Sequence, residues 1–157
     1  MTSVRDMTEQ KPARDPEQRK KDVLDRLEQD ADAWVATVST DGVPCLVPLS
    51  FVRDRETLLL ATRRTNPTAV NVTPTGQVRV ALGGTRDVVL IEGTAETVEG
   101  SALPAASGDA FAAKLGWDPR GRPSWVYLRI TPRTVKAWRE VNELAGRDLM
   151  ADGVWLV

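Results

Sequence analysis

The chain has no histidine and only one cysteine among its 157 residues. Without imidazole there can be no Ser-His-Asp triad, no histidine-ligated zinc or haem, and no imidazole acid–base catalysis at neutral pH. Cys45 alone can form neither an intrachain disulfide nor a thiolate cluster, so no metal centre is expected. Apolar runs long enough to span a bilayer are missing, as is a signal-peptide pattern, and the expected location is cytoplasmic. An excess of charge is lacking too: 21 basic side chains face 22 acidic ones, for a net charge of −1. No global field then attracts nucleic acid or an anionic membrane, and any bound anion must be held by local groups. Chemistry is left to carboxylates, hydroxyls, backbone dipoles or a borrowed cofactor.

Hydrophobic residues at 41% and charged residues at 27% suit a soluble globular domain. The chain is long enough for one core that buries roughly two-thirds of its unfolded surface. Residues 1–15 are read as a polar, mobile N-terminal tail and residues 16–157 as the domain. Asp15-Pro16-Glu17-Gln18 signals a helix start, with Asp as N-cap and Pro at the first helical position. The helix runs to about Asp30 and carries a narrow apolar stripe of Val23, Leu24 and Leu27.

From Ala33 the period changes to two. Residues 33–39 and 43–51 flank Asp41-Gly42, a tight-turn dipeptide. Pro44 and Pro48 lie four apart on the second strand, so one edge lacks two donors and must face solvent, a bulge, a ligand or another subunit. Further strands are expected at residues 77–82 and 88–98, the latter bent at Glu92-Gly93. Residues 101–108 read as a loop, 109–115 as a short helix, and 117–124 as a candidate lid. Two last strands, 125–131 and 133–139, are split by Pro132, and the apolar end Trp155-Leu156-Val157 should dock on the domain or on a second copy. Short strands at this spacing with Gly and Pro turns favour a barrel over alternating βαβ units.

Residues 57–72 concentrate the functional signal. Leu58-Leu59-Leu60-Ala61 reads as a strand covered on both faces, followed by Arg63-Arg64 and then Asn66-Pro67, which opens a helix over residues 68–72. Two guanidinium groups, a hydroxyl-bearing loop and a helix N-terminus thus converge, an arrangement suited to phosphate. The alternative is a plain strand–loop–helix connection with two solvated arginines.

Several segments, in order, resemble the pyridoxamine-phosphate-oxidase-like split β-barrel family, and within it the flavin/deazaflavin oxidoreductases that use coenzyme F-420. They are Trp34-Val35-Ala36-Thr37-Val38, Asp41-Gly42-Val43-Pro44, Val47-Pro48-Leu49-Ser50-Phe51, Leu60-Ala61-Thr62 and Asn71-Val72, then residues 87–95, 128–132, 137–139 and 143–150. The resemblance covers about residues 20–157. It implies a mainly β, α+β fold: a six- to seven-stranded antiparallel split β-barrel of the flavin-reductase type, assembled as a homodimer with cofactor sites at the interface. The cofactor ring is then expected along Val47, Pro48, Leu49 and Ser50, with Ser50 or a backbone N–H polarising the ring edge. The phosphate falls to Thr62, Arg63, Arg64, Asn66 and Thr68, with Asn71 supporting the loop. Trp117, Trp138 and Arg139 are expected on the substrate side, and no residue is assigned as catalytic.

Family members commonly carry a lysine before the Asn-Leu pair; this chain has Thr68, with Arg63 and Arg64 available to replace the charge. The Arg-x-His motif of true pyridoxamine-phosphate oxidases is impossible here. The expected activity is hydride transfer between reduced coenzyme F-420 and a small unsaturated substrate. FMN is the alternative cofactor, and a non-catalytic flavin- or deazaflavin-binding protein the alternative role.

Overall fold

The computed structural model describes residues 11–157. In chain order the elements are α1 (Pro16–Gln29), β1 (Asp32–Val38), β2 (Pro44–Asp54), β3 (Thr57–Arg63), α2 (Pro67–Thr75), β4 (Gln77–Leu82), β5 (Val88–Val98), α3 (Ala105–Leu115), β6 (Trp125–Trp138), a 3₁₀ turn (Val141–Glu143), β7 (Asp148–Ala151) and β8 (Val154–Trp155). Residues 1–10 of the expected tail lie outside the described residues. Arg14 belongs to the folded body, because its backbone N–H and its guanidinium both donate to Glu143.

The strands form one antiparallel sheet in the order β3-β2-β1-β4-β5-β6-β7-β8, and β3 also pairs with β6. That second pairing closes β1 to β6 into a six-stranded barrel and leaves β7 and β8 as an added hairpin. None of the described helices is long and apolar enough to cross a membrane.

The apolar run of β3 explains the closure. Leu58 and Leu60 point into the barrel with Val35, Phe51, Val80, Ile91, Leu128 and Ile130. Leu59 and Ala61 point outward, where α3 covers them with Phe111 beside Tyr127. A strand coated on both faces reads as a continuous apolar run, as expected from the sequence. Asp15 accepts the Gln18 N–H at 2.8 Å and so caps α1, whose Val23 and Leu27 bury against the barrel.

Three boundaries differ from expectation. α2 continues through Pro74 and ends at Gly76, whose φ of 61° lets its N–H return to the Val72 carbonyl. α3 begins at Ala105, four residues before Asp109, where a loop was expected; Gly108 fits there because Arg120 lies where a Cβ would project. β6 is one strand of 14 residues, not two. Pro132 does not break it because the register against β5 slips there: Glu92 pairs with Thr134 and Gly93 with Pro132, leaving Arg133 as the extra residue of a bulge. The tail docks as a hairpin through Trp155 and Val157.

Gly93 is required by this bulge. A Cβ there would lie 2.6 Å from the Thr131 carbonyl oxygen and 3.1 Å from Ile130 Cγ2. Gly93→Ala is expected to cost about 1–3 kcal/mol through displaced backbone; an unchanged urea midpoint would contradict this.

Candidate functional site at the split between β2 and β3

The barrel is not zipped all the way round. β2 pairs with β3 from Asp54↔Thr57 to Phe51↔Leu60 and no further. Among the described residues, the rest of β2, from Pro44 to Ser50, has β1 as its only strand partner. The Phe51 N–H donates to the Ala31 carbonyl at 2.9 Å, on the β1 side. By strand alternation, the N–H groups of Leu46 and Ser50 then face the open edge, where Pro44 and Pro48 occupy the other two positions and have no N–H. On the opposite lip, the Arg64 N–H donates to Ser124 at 2.8 Å, on the β6 side, so the Ala61 and Arg63 N–H groups face β2. The sequence-based inference that one edge of the proline strand stays unpaired therefore holds.

The expected ring wall forms one lip of this split. Val47 and Leu49 are half-buried on the inner face, and Pro48 is exposed on the outer face. The Ser50 hydroxyl donates to Asp32 Oδ1 at 2.6 Å and so turns toward β1. On this lip the open-edge donors are backbone N–H groups.

The expected phosphate residues divide into two sets. Arg63, Arg64 and Asn66 are exposed at the end of β3. Thr62, Thr68 and Asn71 are buried, at 2%, 1% and 6% exposure. Thr62 Oγ1 accepts from Asn66 Nδ2 at 3.0 Å, Thr68 Oγ1 lies 3.9 Å from Cys45 Sγ, and Asn71 Nδ2 donates to Thr37 Oγ1 at 3.1 Å. These three fasten β3 and α2 to the barrel, which gives the exposed set a fixed base. Asn66 spends its side chain on Thr62 and leaves the first turn of α2 without a side-chain cap. The uncapped N–H groups and the helix dipole favour an anion.

The two arginines are not equivalent. Arg63 lies over the Trp125 ring, 5.2 Å from its centroid. Arg64 closes a two-pronged pair on Glu99, with Nη1 to Oε1 at 2.5 Å and Nη2 to Oε2 at 2.8 Å, and Nη2 also donates to Pro123 O at 3.2 Å. This pairing raises the Arg64 pKa and lowers that of Glu99. Glu99 carries no sequence signal for such a role, since it lies 35 positions away.

The substrate-side residues do not gather here. Trp117 packs edge-on against Phe111 at 5.8 Å and Trp125 at 4.8 Å. The loop expected to be a lid is pinned by Arg120, which bonds Asp118 at 2.8 Å and Asp109 at 2.9 Å. Trp138 and Arg139 sit at the far end of β6 from Trp125, up to roughly 40 Å along a strand of this length, and Arg139 faces Asp22 and Asp87 at 3.6 and 3.4 Å. Within one chain they are remote from Arg63.

Trp34 was not foreseen. It pairs with Pro48 across β1 and β2 and is 51% exposed on the outer face, on the same face as Leu46 at 62%, which pairs with Ala36. The period-two alternation of β1, which buries Ala33, Val35 and Thr37, was the available signal. A hollow of about 450 Å³ opens on the same face, lined by Ala36, Val38, Gln77, Arg79, Glu92 and Gly93.

The sequence pattern of pyridoxamine 5'-phosphate oxidase matches residues 20–139. The chain belongs to this family. Solved structures share the fold of this family member at low identity. General stress protein 26 from Bacillus anthracis is 22% identical, with a TM-score of 0.62 over 76% of this chain and 92% of that one. An F420 reductase is 21% identical, with a TM-score of 0.56 over 71% of this chain and 93% of that one. HutZ, the heme storage protein from Vibrio cholerae, is 15% identical, with a TM-score of 0.59 over 73% of this chain and 90% of that one. At these identities the likeness establishes the fold alone. No curated protein matches the chain by sequence.

Proposed function

We propose that this protein is an oxidoreductase that holds a phosphate-bearing deazaflavin, coenzyme F-420, at the β2–β3 split, with FMN as the alternative. The observation that carries the proposal is the coincidence of two features at one place: an exposed arginine pair at the uncapped N-terminus of α2, and an unpaired edge of β2 beside it. The donor set fits such a group. Arg63, Arg64 and the first N–H groups of α2 would hold phosphate oxygens. An open-edge N–H group, of Leu46 or of Ser50, would meet a ring carbonyl, with Pro48 and Leu49 as the apolar wall.

When bound, the cofactor supplies hydride transfer to or from a small unsaturated substrate, and the protein supplies position and shielding. A chain with no histidine has no imidazole base for hydrolytic chemistry, which is consistent with this division of labour. Haem storage, the role named for one structural neighbour, has less support, because no histidine is available as an axial ligand. We also propose that a second copy covers the outer face around Trp34 and Leu46, since exposed apolar groups on one sheet face mark an association surface. Such a partner could bring its own Trp138 end to this split.

Titration of the purified protein with coenzyme F-420 and with FMN, followed by fluorescence quenching, tests the proposal. Tight deazaflavin binding with weaker FMN binding is expected. A preference for FMN moves the chain to the flavin alternative, and binding of neither rejects both.

A further inference from the structure

We propose that Pro48 is a wedge that keeps β2 from zipping onto β3, so that backbone donors remain available to a flat, carbonyl-bearing ring. Carried on at its own register, the β2–β3 ladder would next set Ser50 opposite Ala61 and Pro48 opposite Arg63. The direction of the Phe51 and Arg64 N–H bonds makes these the positions whose polar groups point across the split. Ser50 and Ala61 could exchange two hydrogen bonds. The next pair could not, because Pro48 has no N–H to give the Arg63 carbonyl. That carbonyl instead accepts the Asn66 N–H at 3.0 Å, in the turn that leads into α2. Each lip is thus provided for without the other.

Protection of an edge strand from other chains is the common use of proline. Here a strand of the same chain lies beside the proline edge and is already paired with it up to Phe51. The first reaction blocked by Pro48 is therefore intramolecular. Pro44 differs, because the residue it would face at the same register is Pro67, in α2 and past the end of β3. The two prolines look alike in sequence and separate in function: Pro48 guards the split, and Pro44 opens the strand beyond the reach of β3.

The identity of the ring rests on the proposed function; the wedge itself does not. The test combines amide hydrogen exchange of the unliganded chain with FMN and coenzyme F-420 titrations, for wild type, Pro48→Ala and Pro44→Ala. In Pro48→Ala, exchange at Ser50, Ala61 and Arg63 should slow by about tenfold or more as the ladder extends, the new amide at residue 48 should be protected, and cofactor affinity should fall by about tenfold. Pro44→Ala should change neither. Wild-type exchange rates at Ala61 and Arg63 in Pro48→Ala overturn the wedge. So does slowed exchange that light scattering traces to self-association, since the edge would then have paired with another copy. Slowed exchange with unchanged affinity overturns the link to the ligand. If wild type binds neither cofactor, the proposed function fails while the exchange data still decide the wedge.

Discussion

Glu143→Ala is expected to lower the free energy of unfolding by about 3–5 kcal/mol, seen as a fall of roughly 2 M in the urea midpoint at unchanged slope. Glu143 is only 2% exposed. Its carboxylate accepts from the Arg14 N–H at 3.0 Å, Arg14 Nε at 2.9 Å, Arg14 Nη2 at 2.8 Å and the Arg139 N–H at 2.8 Å. Arg19, itself 3% exposed, lies 3.9 Å from the same carboxylate and donates to the Glu143 and Ala137 carbonyls. One carboxylate therefore ties the lead-in to α1, the helix itself and the turn after β6 into one body. Removing it leaves guanidinium charge buried without its partner, and that desolvation, more than the lost contacts, sets the size of the effect. A change below about 1 kcal/mol would mean that Asp22, which also bonds Arg14 at 2.9 Å, is sufficient compensation.

The same group gives the fold an acid limit. Hydrogen bonds from the Arg14 side chain, above all, lower the Glu143 pKa from 4.5 to about 2. A carboxylate depressed in the folded state stabilises fully above its unfolded pKa and loses that contribution as pH falls through the folded one. The window here runs from about pH 4.5 down to about pH 2, and the shift corresponds to about 3 kcal/mol. Wild type should lose stability across that interval, and Glu143→Gln should be flatter there.

The parts of this fold legible in the sequence are those set by neighbours along the chain. Asp15 and Pro16 fix a helix start through bonds within one turn, Asp41-Gly42 fixes a hairpin, and Leu58 to Ala61 declare a strand with two covered faces. Pro44 and Pro48 likewise announced an unpaired edge before any partner was known. The features missed depend on distant residues. Pro132 breaks a strand in isolation, yet β5 accommodates it by a register slip at Gly93, where a missing side chain makes room. Gly108 discourages a helix locally, while Arg120 packs against it and α3 forms over Phe111.

The candidate site divides the same way. Convergence of Arg63, Arg64 and Asn66 was readable because the three are adjacent. The burial of Thr62, Thr68 and Asn71 was not, because it follows from how α2 seats on the barrel through Thr37 and Cys45. Trp138 and Arg139 were grouped with this site, yet β6 carries them to its opposite end, so only a second copy could return them to it.

Arg63→Ala combined with Arg64→Ala is expected to weaken coenzyme F-420 or FMN binding by about a hundredfold while leaving the fold intact. Both side chains are exposed, so neither is needed for the core. The single variants should be unequal. Among the described residues, the Arg63 side chain is held only by the face of Trp125, a contact compatible with an outward-turned guanidinium that still has donors for phosphate. Arg64 has both Nη groups on Glu99, and a phosphate must displace that carboxylate before gaining its fork. Arg63→Ala should therefore account for most of the loss, Arg64→Ala for a few-fold only, and Glu99→Gln should tighten binding by a similar few-fold, because it frees Arg64 and removes a negative charge from the approach. The dissociation constants of the four variants, measured at one ionic strength, decide the matter, since exposed charge contacts weaken with salt. Equal affinity of the double variant and wild type would place the phosphate elsewhere and reduce the arginine pair to a solvated connection between β3 and α2.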